Sequence, residues 1–199
     1  MSRRGIFIVI EGLDGCGKTT QAKLLVRTLK KNHDAVYTAE PSRGNIGRFI
    51  RKYCLHSAKR GSSVVEALLF AADRYEHVAN EVLPALTKGK IVVSDRYVYS
   101  SLAYQGAAGL DLDWIRKLNE HAMKPDLAIF IDVNPETVVQ RLKPKKSVME
   151  NLETQQKVRE VYVKFIERGE LVSVDGNDSK RVVTKNIVAL VRSFLEKRH

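Results

Sequence analysis

The stretch GLDGCGKTT, residues 12–20, restricts the fold of this chain more than any other segment does. It fits the pattern G-x-x-x-x-G-K-[ST], in which backbone N–H groups wrap phosphate anions. This pattern works only with a strand before it and a helix after it. Both neighbours are present, because the apolar run from Ile6 to Glu11 precedes it and apolar residues at helical spacing follow it. The segment therefore predicts a buried strand, a phosphate-binding loop and a helix.

The residues of this loop have separate expected tasks. The backbone N–H groups and the N-terminus of the following helix are expected to hold the phosphates. Lys18 would neutralise the transferring end, and Thr19 would offer its hydroxyl to Mg²⁺. The predicted phosphate-binding residues are Gly12, Leu13, Asp14, Gly15, Cys16, Gly17, Lys18 and Thr19. Two of them need explanation, because Asp14 puts a carboxylate into an anion site and Gly15 has no side chain.

Strand and helix patterns alternate along the rest of the chain. The predicted strands are residues 6–11, 35–39, 91–95, 127–132 and 171–175. The predicted helices are about 18–31, 46–53, 63–86, 97–105, 112–123 and 149–168, with one more opening at Pro135 and a last one capped by Asn177 and Asp178. Such alternation predicts a three-layer α/β/α fold, in which helices cover both faces of a five-stranded parallel sheet.

Polar residues follow every predicted strand. They are the glycine loop, Glu40 to Arg43, Asp95 with Arg96, Asp132, and Asp175 with Gly176. Ligands of parallel sheets bind beyond the carboxyl ends of the strands, and all these residues are expected at that edge. The sequence therefore predicts one site along the rim of the sheet.

Composition narrows the class of protein. The chain has 199 residues, the size of one domain, and we expect residues 1–199 to form a single domain. Its longest apolar runs have the length of strands, which argues against a membrane span. With only Cys16 and Cys54 as cysteines, the sequence predicts no disulfide framework and a cytoplasmic location.

The formal net charge of +11 indicates an anionic partner. Nucleic acid would fit this sign, but the basic residues are dispersed and the tyrosines are not interleaved with them. Phosphorylated small molecules need the same sign of charge. We therefore expect small-molecule substrates, and keep a nucleic-acid-stimulated ATPase as an alternative.

Two further segments carry candidate binding residues. In VVEALLFAADRYEHV, Phe70 and Arg74 lie four residues apart and share one helix face. Taken alone, this pattern favours a core phenylalanine and a solvated arginine. The stretch SDRYVYSSLAYQG places polar and aromatic residues directly after the third strand.

Together these segments resemble thymidylate kinases. IVIEGLDGCGKTTQ, EPSRGNIGRFIR, LLFAADRYEHV and SDRYVYSSLAYQG occur in the order and at the spacing of that family. The resemblance implies a P-loop kinase fold and phosphorylation of dTMP to dTDP, with ATP on the glycine loop. It also implies a homodimer. A related kinase for another nucleoside monophosphate, or for a free deoxynucleoside, is the nearest alternative.

The resemblance assigns the dTMP base and sugar to particular residues. Phe70 would stack on the thymine ring, and Arg74 would donate to thymine O4. Ser100 and Ser101 lie where the family contacts the base or the nearby phosphate. Tyr104 would press on C2′ of the sugar and exclude a ribose hydroxyl.

The remaining roles concern charge. Arg43 and Arg96 would clamp the acceptor phosphate, and Asp95 would hold Mg²⁺ through water. Asp14 occupies the position from which the family reaches the 3′-hydroxyl of the acceptor. We expect the nearby Lys18 and Arg96 to favour the charged form of Asp14.

Gly15 marks a division within the family. Some members carry an arginine there that reaches the transferring phosphoryl group, and others supply that charge from a mobile lid. The resemblance therefore implies a short catalytic lid at about residues 142–150. The candidate cations are Arg141, Lys143, Lys145 and Lys146.

Overall fold

The computed structural model describes residues 4–55, 61–142 and 151–198. Its strands are β1 (Ile6–Gly12), β2 (Ala35–Ala39), β3 (Ile91–Asp95), β4 (Leu127–Asp132) and β5 (Val172–Asp175). They form one sheet in the order β2-β3-β1-β4-β5, and every neighbouring pair is parallel. The predicted five-stranded parallel sheet is confirmed.

Helices connect the strands. They are α1 (Lys18–Leu29), α2 (Asn45–Ile50), α3 (Ser63–His77), α4 (Leu83–Thr87), α5 (Val98–Ala107), α6 (Leu112–Leu118), α7 (Pro135–Arg141), α8 (Leu152–Glu167) and α9 (Lys180–Glu196). Turns of π-helix, Arg51–Leu55 and Val78–Val82, follow α2 and α3. Helices therefore flank the sheet, as the alternation of patterns predicts.

The central position of β1 in the sheet explains why its side chains are buried. From Phe7 to Ile10 its side chains are fully buried, because β3 and β4 flank the strand and helices cover the sheet. Helix α1 turns Ala22, Leu25, Val26 and Leu29 into the same core. The glycine loop thus leaves the sheet from its middle strand, between the ends of β3 and β4.

Three predicted helices differ in detail. The single helix predicted over 63–86 contains the π-helical turn Val78–Val82. The helix predicted over 112–123 ends at Leu118. The last helix is capped by Ser179, whose hydroxyl accepts from the N–H of Val182, because Asn177 is engaged instead by the Asp175 carboxylate.

Within the described parts of the chain, no helix combines the length and apolar character that crossing a membrane requires. Of the predicted lid, Leu142 is described and follows α7 directly. Residues 143–150, which include the candidate cations Lys143, Lys145 and Lys146, lie outside the described residues.

Candidate active site

A cavity of about 250 Å³ opens at the carboxyl ends of β1 and β3. Its walls are residues of the glycine loop on one side, and Asp95 with Arg96 on the other. Parallel pairing sets Ile10 of β1 opposite Asp95 of β3, which brings the two strand ends to the same level. Of the five strand ends predicted to share one site, those of β1 and β3 therefore line this cavity.

Contacts within the glycine loop fix its conformation. Gly17 precedes α1 with a φ of 101°, a left-handed conformation that glycine adopts without steric cost. Lys18 is buried, and its Nζ donates to the carbonyl of Leu13 over 2.6 Å. Burial raises the pKa of the Cys16 thiol, so Cys16 is a neutral, small side chain inside the turn.

A side chain at position 15 would be strained and crowded. The φ of Gly15 is +85°, and a Cβ atom there would meet Leu142 Cγ at 3.0 Å and the carbonyl oxygen of Val138 at 3.1 Å. Helix α7 therefore packs against the position from which an arginine would have to extend.

Thr19 and Asp95 meet across the cavity. The Thr19 hydroxyl donates to Oδ2 of Asp95, and the Tyr37 hydroxyl approaches the same oxygen at 3.4 Å. The other oxygen, Asp95 Oδ1, is buried and has no hydrogen-bond partner among the described residues. Hydroxyl and carboxylate oxygens are ligands that Mg²⁺ prefers, so these two residues fit a hard cation.

Arg96 lies over the opening of the cavity. Its φ is +71°, which is rare for a residue with a side chain, and its N–H donates to the carbonyl of Ile10 over 3.0 Å. The guanidinium pairs with Asp14, donates to Ser100 Oγ over 3.1 Å and lies above the Tyr104 ring. This backbone geometry turns the guanidinium towards the glycine loop.

Asp14 is flanked by two cations, Arg96 and Lys18, and Lys18 Nζ lies 3.8 Å from Asp14 Oδ1. Burial alone would raise the pKa of the Asp14 carboxyl, but the guanidinium and the ammonium outweigh burial and lower it. The expected proximity of the three side chains is confirmed. Asp14 is therefore charged at neutral pH without leaving an unpaired anion beside the phosphate site.

The sequence interpretation missed Glu11 as a site residue. Glu11 supports Arg96 through Ser100, which contacts both side chains. The side chain of Glu11 is fully buried. Its Oε1 accepts from the Tyr97 N–H over 2.9 Å, and its Oε2 accepts from Ser100 Oγ over 2.7 Å and from the Tyr162 hydroxyl over 2.9 Å. Burial raises the pKa of Glu11, although these hydrogen bonds and the charge of Arg96 oppose the shift. A charged residue at the end of an apolar strand was the available signal.

Arg74 is buried to 1% exposure, so the expectation of a solvated arginine, drawn from the helix pattern alone, is wrong. Its Nη2 lies 2.8 Å from Glu40 Oε2 and 3.0 Å from Ser101 Oγ, and its Nη1 donates to Asn119 Oδ1. The sequence interpretation had not linked Glu40 or Asn119 to Arg74. Arg74 needs these partners because it is buried, and a guanidinium enters a protein interior only where acceptors surround it.

Phe70 is half-buried on the same face of α3, one turn before Arg74. It is therefore not part of the closed core, and the expectation of a core phenylalanine from pattern alone is wrong. Helix α3 thus carries a half-buried aromatic ring and a buried guanidinium one turn apart.

Arg43 and Arg141 are exposed. The backbone beside Arg43 is held firmly, because Ser42 donates through its N–H and hydroxyl to the buried Asp73 over 2.7 and 2.6 Å. Arg141 lies in the last turn of α7, next to the residues packed on Gly15. Both side chains keep the freedom to reach a ligand.

Asp132, at the end of β4, does not face the cavity. Its two carboxylate oxygens accept from Nε and Nη2 of Arg159, each over 2.8 Å. This bidentate pair attaches α8 to the sheet edge. Asp132 is therefore a structural anchor, although the strand pattern predicts it on the ligand rim.

A family model described as thymidylate kinase matches residues 10–187. The match runs from β1 into α9 and contains the cavity, Arg74 and Arg96. It therefore covers the segments on which the sequence resemblance was based.

Relatives of similar length resemble the whole chain. A protein of Pyrococcus abyssi named probable thymidylate kinase is 46% identical, covering 96% of this chain and 98% of the relative. One of the same name from Thermococcus onnurineus is 46% identical, covering 97% and 100%. A thymidylate kinase of Caldanaerobacter subterraneus is 38% identical, covering 97% and 98%.

Proposed function

The chain belongs to the thymidylate kinase family, and on that premise we propose how it phosphorylates dTMP with ATP. The γ-phosphoryl group of ATP passes directly to the phosphate of dTMP, giving ADP and dTDP. One observation carries the proposal: the glycine loop and the Arg96–Asp14 pair line the same cavity. That arrangement suits two anionic nucleotides that meet end to end.

The donor binds on the glycine loop. Backbone N–H groups from Gly12 to Thr19 and the N-terminus of α1 hold the ATP phosphates. Lys18 then exchanges its contact with the Leu13 carbonyl for phosphate oxygens near the transferring group. The loop supplies most of its positive potential through backbone groups, so the paired Asp14 does not prevent anion binding.

Mg²⁺ is the metal that Thr19 and Asp95 would hold, Thr19 directly and Asp95 through water. Within the described residues, no group of three or more His, Cys, Asp or Glu side chains gathers as a metal site. A cation here would therefore complete its coordination with phosphate oxygens and water, which is the mode Mg²⁺ prefers. When bound, the ion supplies charge neutralisation at the phosphates.

The acceptor phosphate and sugar lie under Arg96. Its guanidinium and that of Arg43 clamp the dTMP phosphate, a task suited to planar forked donors. Asp14 accepts from the 3′-hydroxyl, and Tyr104 presses on C2′. The support is that Arg96 touches both Asp14 and the Tyr104 ring.

The base lies between Phe70 and Arg74. Phe70 stacks on the ring, and Arg74 with Ser101 faces the O4 edge, where Nε of Arg74 has no partner among the described residues. Cytosine presents an amino donor where thymine presents an acceptor, so it would leave a buried donor unpaired. A site of this kind can reject the mismatch by roughly 10⁴-fold.

Catalysis then needs positioning and charge, with no general base, because the acceptor is already an anion. The described side chains that we assign to this charge neutralisation are Lys18, Arg96 and the exposed Arg141. Because residue 15 has no side chain, the positive charge beside the transferring phosphoryl group comes from Arg141 and the lysines that follow it. Cations in this position raise rates by about 10³–10⁵-fold in related systems.

A panel of acceptors tests the proposal. ADP release is measured with dTMP, dCMP, dGMP and free thymidine, each with and without added DNA or RNA. We expect dTMP to be the best acceptor, with little turnover in its absence. A tenfold preference for dCMP or thymidine would support a related kinase instead, and turnover that needs nucleic acid would support an ATPase.

We also propose a homodimer in the cytoplasm. Exposed apolar side chains gather on α2, the turn after it and α3; they are Phe49, Tyr53, Val64, Val65 and Leu68. The rings of Phe49 and Tyr53 lie 4.4 Å apart at an interplanar angle of 34° and form an exposed aromatic pair. A second copy would cover this α2–α3 surface. With only Cys16 and Cys54 as cysteines, the chain is too poor in cysteine for a disulfide framework, which suits the reducing cytoplasm.

A further inference from the structure

A chain of buried polar side chains leads from Arg74 away from the cavity towards β2. Arg74 Nη2 lies 2.8 Å from Glu40 Oε2. The other oxygen of that carboxylate, Oε1, lies 3.2 Å from Nδ1 of His77. The second ring nitrogen, His77 Nε2, lies 2.6 Å from Thr38 Oγ1, and the same hydroxyl oxygen lies 2.9 Å from Glu81 Oε2. The single hydrogen of Thr38 goes to one of these two neighbours. His77 is 1% exposed and Glu40 is 5% exposed, so water does not replace these partners.

Counting hydrogens assigns the direction of the contact between His77 and Glu40. A carboxylate paired with a guanidinium has only acceptors to offer, so the hydrogen between them belongs to Nδ1 of His77. This holds whether Thr38 donates to Nε2 or accepts from it. In either arrangement, His77 Nδ1–H donates to Glu40 Oε1.

The two oxygens of Glu40 therefore differ: Oε1 has the hydrogen bond with His77, whereas Oε2 lies in ionic contact with Arg74 and has no hydrogen bond among the described residues. The other described partners of Arg74 are neutral, namely Asn119, Ser101 and the Tyr97 carbonyl. Glu40 is its one ionic partner among the described residues. A carboxylate that loses the donor at Oε1 is left with a buried, unpaired oxygen and turns towards another donor. Such a turn would draw the guanidinium of Arg74 with it.

We propose that His77 is a positioning residue for base recognition, which acts on the pyrimidine through Glu40 and Arg74. The inference rests on the proposed function, in which Arg74 faces the O4 edge of thymine. His77 lies one turn after Arg74 on α3 and touches no part of the cavity lining. Its effect should therefore fall on dTMP affinity and base preference, and leave ATP binding and the transfer step unchanged.

Two amide substitutions separate this role from a structural one. The side-chain nitrogen of asparagine can occupy the place of His77 Nδ1, and that of glutamine the place of Nε2. His77→Asn therefore keeps the contact with Glu40, whereas His77→Gln keeps only the contact with Thr38. Steady-state kinetics with dTMP and dCMP, at saturating ATP, give KM, kcat and base preference for both variants. Glu81→Gln, at the far end of the chain, is the control.

We expect His77→Gln to raise KM for dTMP about tenfold and to reduce the preference for dTMP over dCMP. Its kcat and its KM for ATP should stay within twofold of the wild-type values. His77→Asn and Glu81→Gln should retain the wild-type base preference. Equal effects of the two amides on KM, or a change in kcat alone, would overturn the inference. Thermal unfolding, measured in parallel, identifies the loss of folded protein, which lowers apparent kcat without changing base preference.

Arg74→Ala separates this inference from the proposed function. If Arg74→Ala leaves KM for dTMP unchanged, the base-recognition role of Arg74 is wrong, and the role of His77 fails with it. If Arg74→Ala raises KM for dTMP and His77→Gln does not, only the inference about His77 is overturned. A rise in both variants, with rescue by His77→Asn, supports both.

Discussion

Ser100 on α5 donates its hydroxyl to Glu11 on β1 over 2.7 Å, and the same hydroxyl accepts from Arg96 over 3.1 Å. A fully buried carboxylate in the sheet thus fixes, through one hydroxyl, a guanidinium at the cavity. The position of Arg96 depends on the interior of the protein as well as on its ligands. Changes to Glu11 should therefore affect the acceptor half of the site.

Glu11→Gln should lower kcat/KM for dTMP about tenfold, because the amide turns a donor towards groups that themselves donate. KM for ATP should change little, since the glycine loop keeps its own contacts. Kinetics with each substrate varied in turn provide the measurement. An equal loss for both substrates would mean that Glu11 supports the whole loop and not Arg96 in particular.

The raised pKa of Glu11 adds a pH dependence. As pH falls towards 4.5, the ordinary pKa of a glutamate, folded Glu11 is protonated before its unfolded counterpart. Protonation then favours the folded state, so this group's contribution to stability grows on acidification and is lost as pH rises. Activity should change in the opposite direction, because the Ser100 hydroxyl loses its acceptor. Both trends, measured by urea unfolding and kcat/KM, should be absent from Glu11→Gln.

Lys18→Ala should reduce phosphoryl transfer by at least about 10³-fold, because it removes the cation nearest the transferring group. Binding of dTMP, measured by calorimetry, should stay close to wild type, since its proposed contacts lie elsewhere. Lys30→Ala, which removes an exposed lysine just beyond α1, is the matched control for lost charge. Near-normal turnover by Lys18→Ala would refute the donor site.

Asp14→Ala should remove the preference for an acceptor with a 3′-hydroxyl, because alanine has no side-chain acceptor. The wild type should use dTMP about 10- to 100-fold better than 2′,3′-dideoxy-TMP, which is the value of a hydrogen bond to a charged group. In the variant the two acceptors should perform alike. A preference that survives in Asp14→Ala would show that another group reads the 3′-hydroxyl.

The same preference should be independent of pH from 8 down to about 5. The neighbouring cations outweigh burial and hold the pKa of Asp14 below its ordinary value of 3.8, so the carboxylate stays charged across this range. The stability contributed by this pairing is present above pH 3.8 and is lost only as pH falls through the lower pKa of the folded state. Kinetics with the two acceptors at several pH values provide the check.

Leu68→Glu should convert the proposed dimer to a monomer, because it places a charge on the α2–α3 surface. Leu68 is 47% exposed, so the folded chain itself should lose little stability. Light scattering with size-exclusion chromatography measures the mass. Leu152→Glu is the control, since Leu152 is also an exposed leucine but lies on α8. Equal masses for wild type and both variants would refute the α2–α3 interface.

Sequence reasoning reached the fold because the relevant signals are local. Apolar runs of strand length, helical spacing and the glycine loop predict the five parallel strands and the ligand edge. The interruption of the helix over 63–86 was beyond such reasoning, because one π-helical turn of five residues is too short to change the apolar spacing recognisably. Asp132 was misplaced for a related reason: its partner Arg159 lies 27 residues away along the chain.

The sequence by itself determined the order of the elements and the residue types at the rim. Only the tertiary structure decided which of these residues support one another. Glu11 beneath Arg96, and Glu40 between Arg74 and His77, are contacts between segments distant along the chain, made where water is excluded. In such places a charged side chain must find its partners inside the protein, and no local pattern specifies which residues those are.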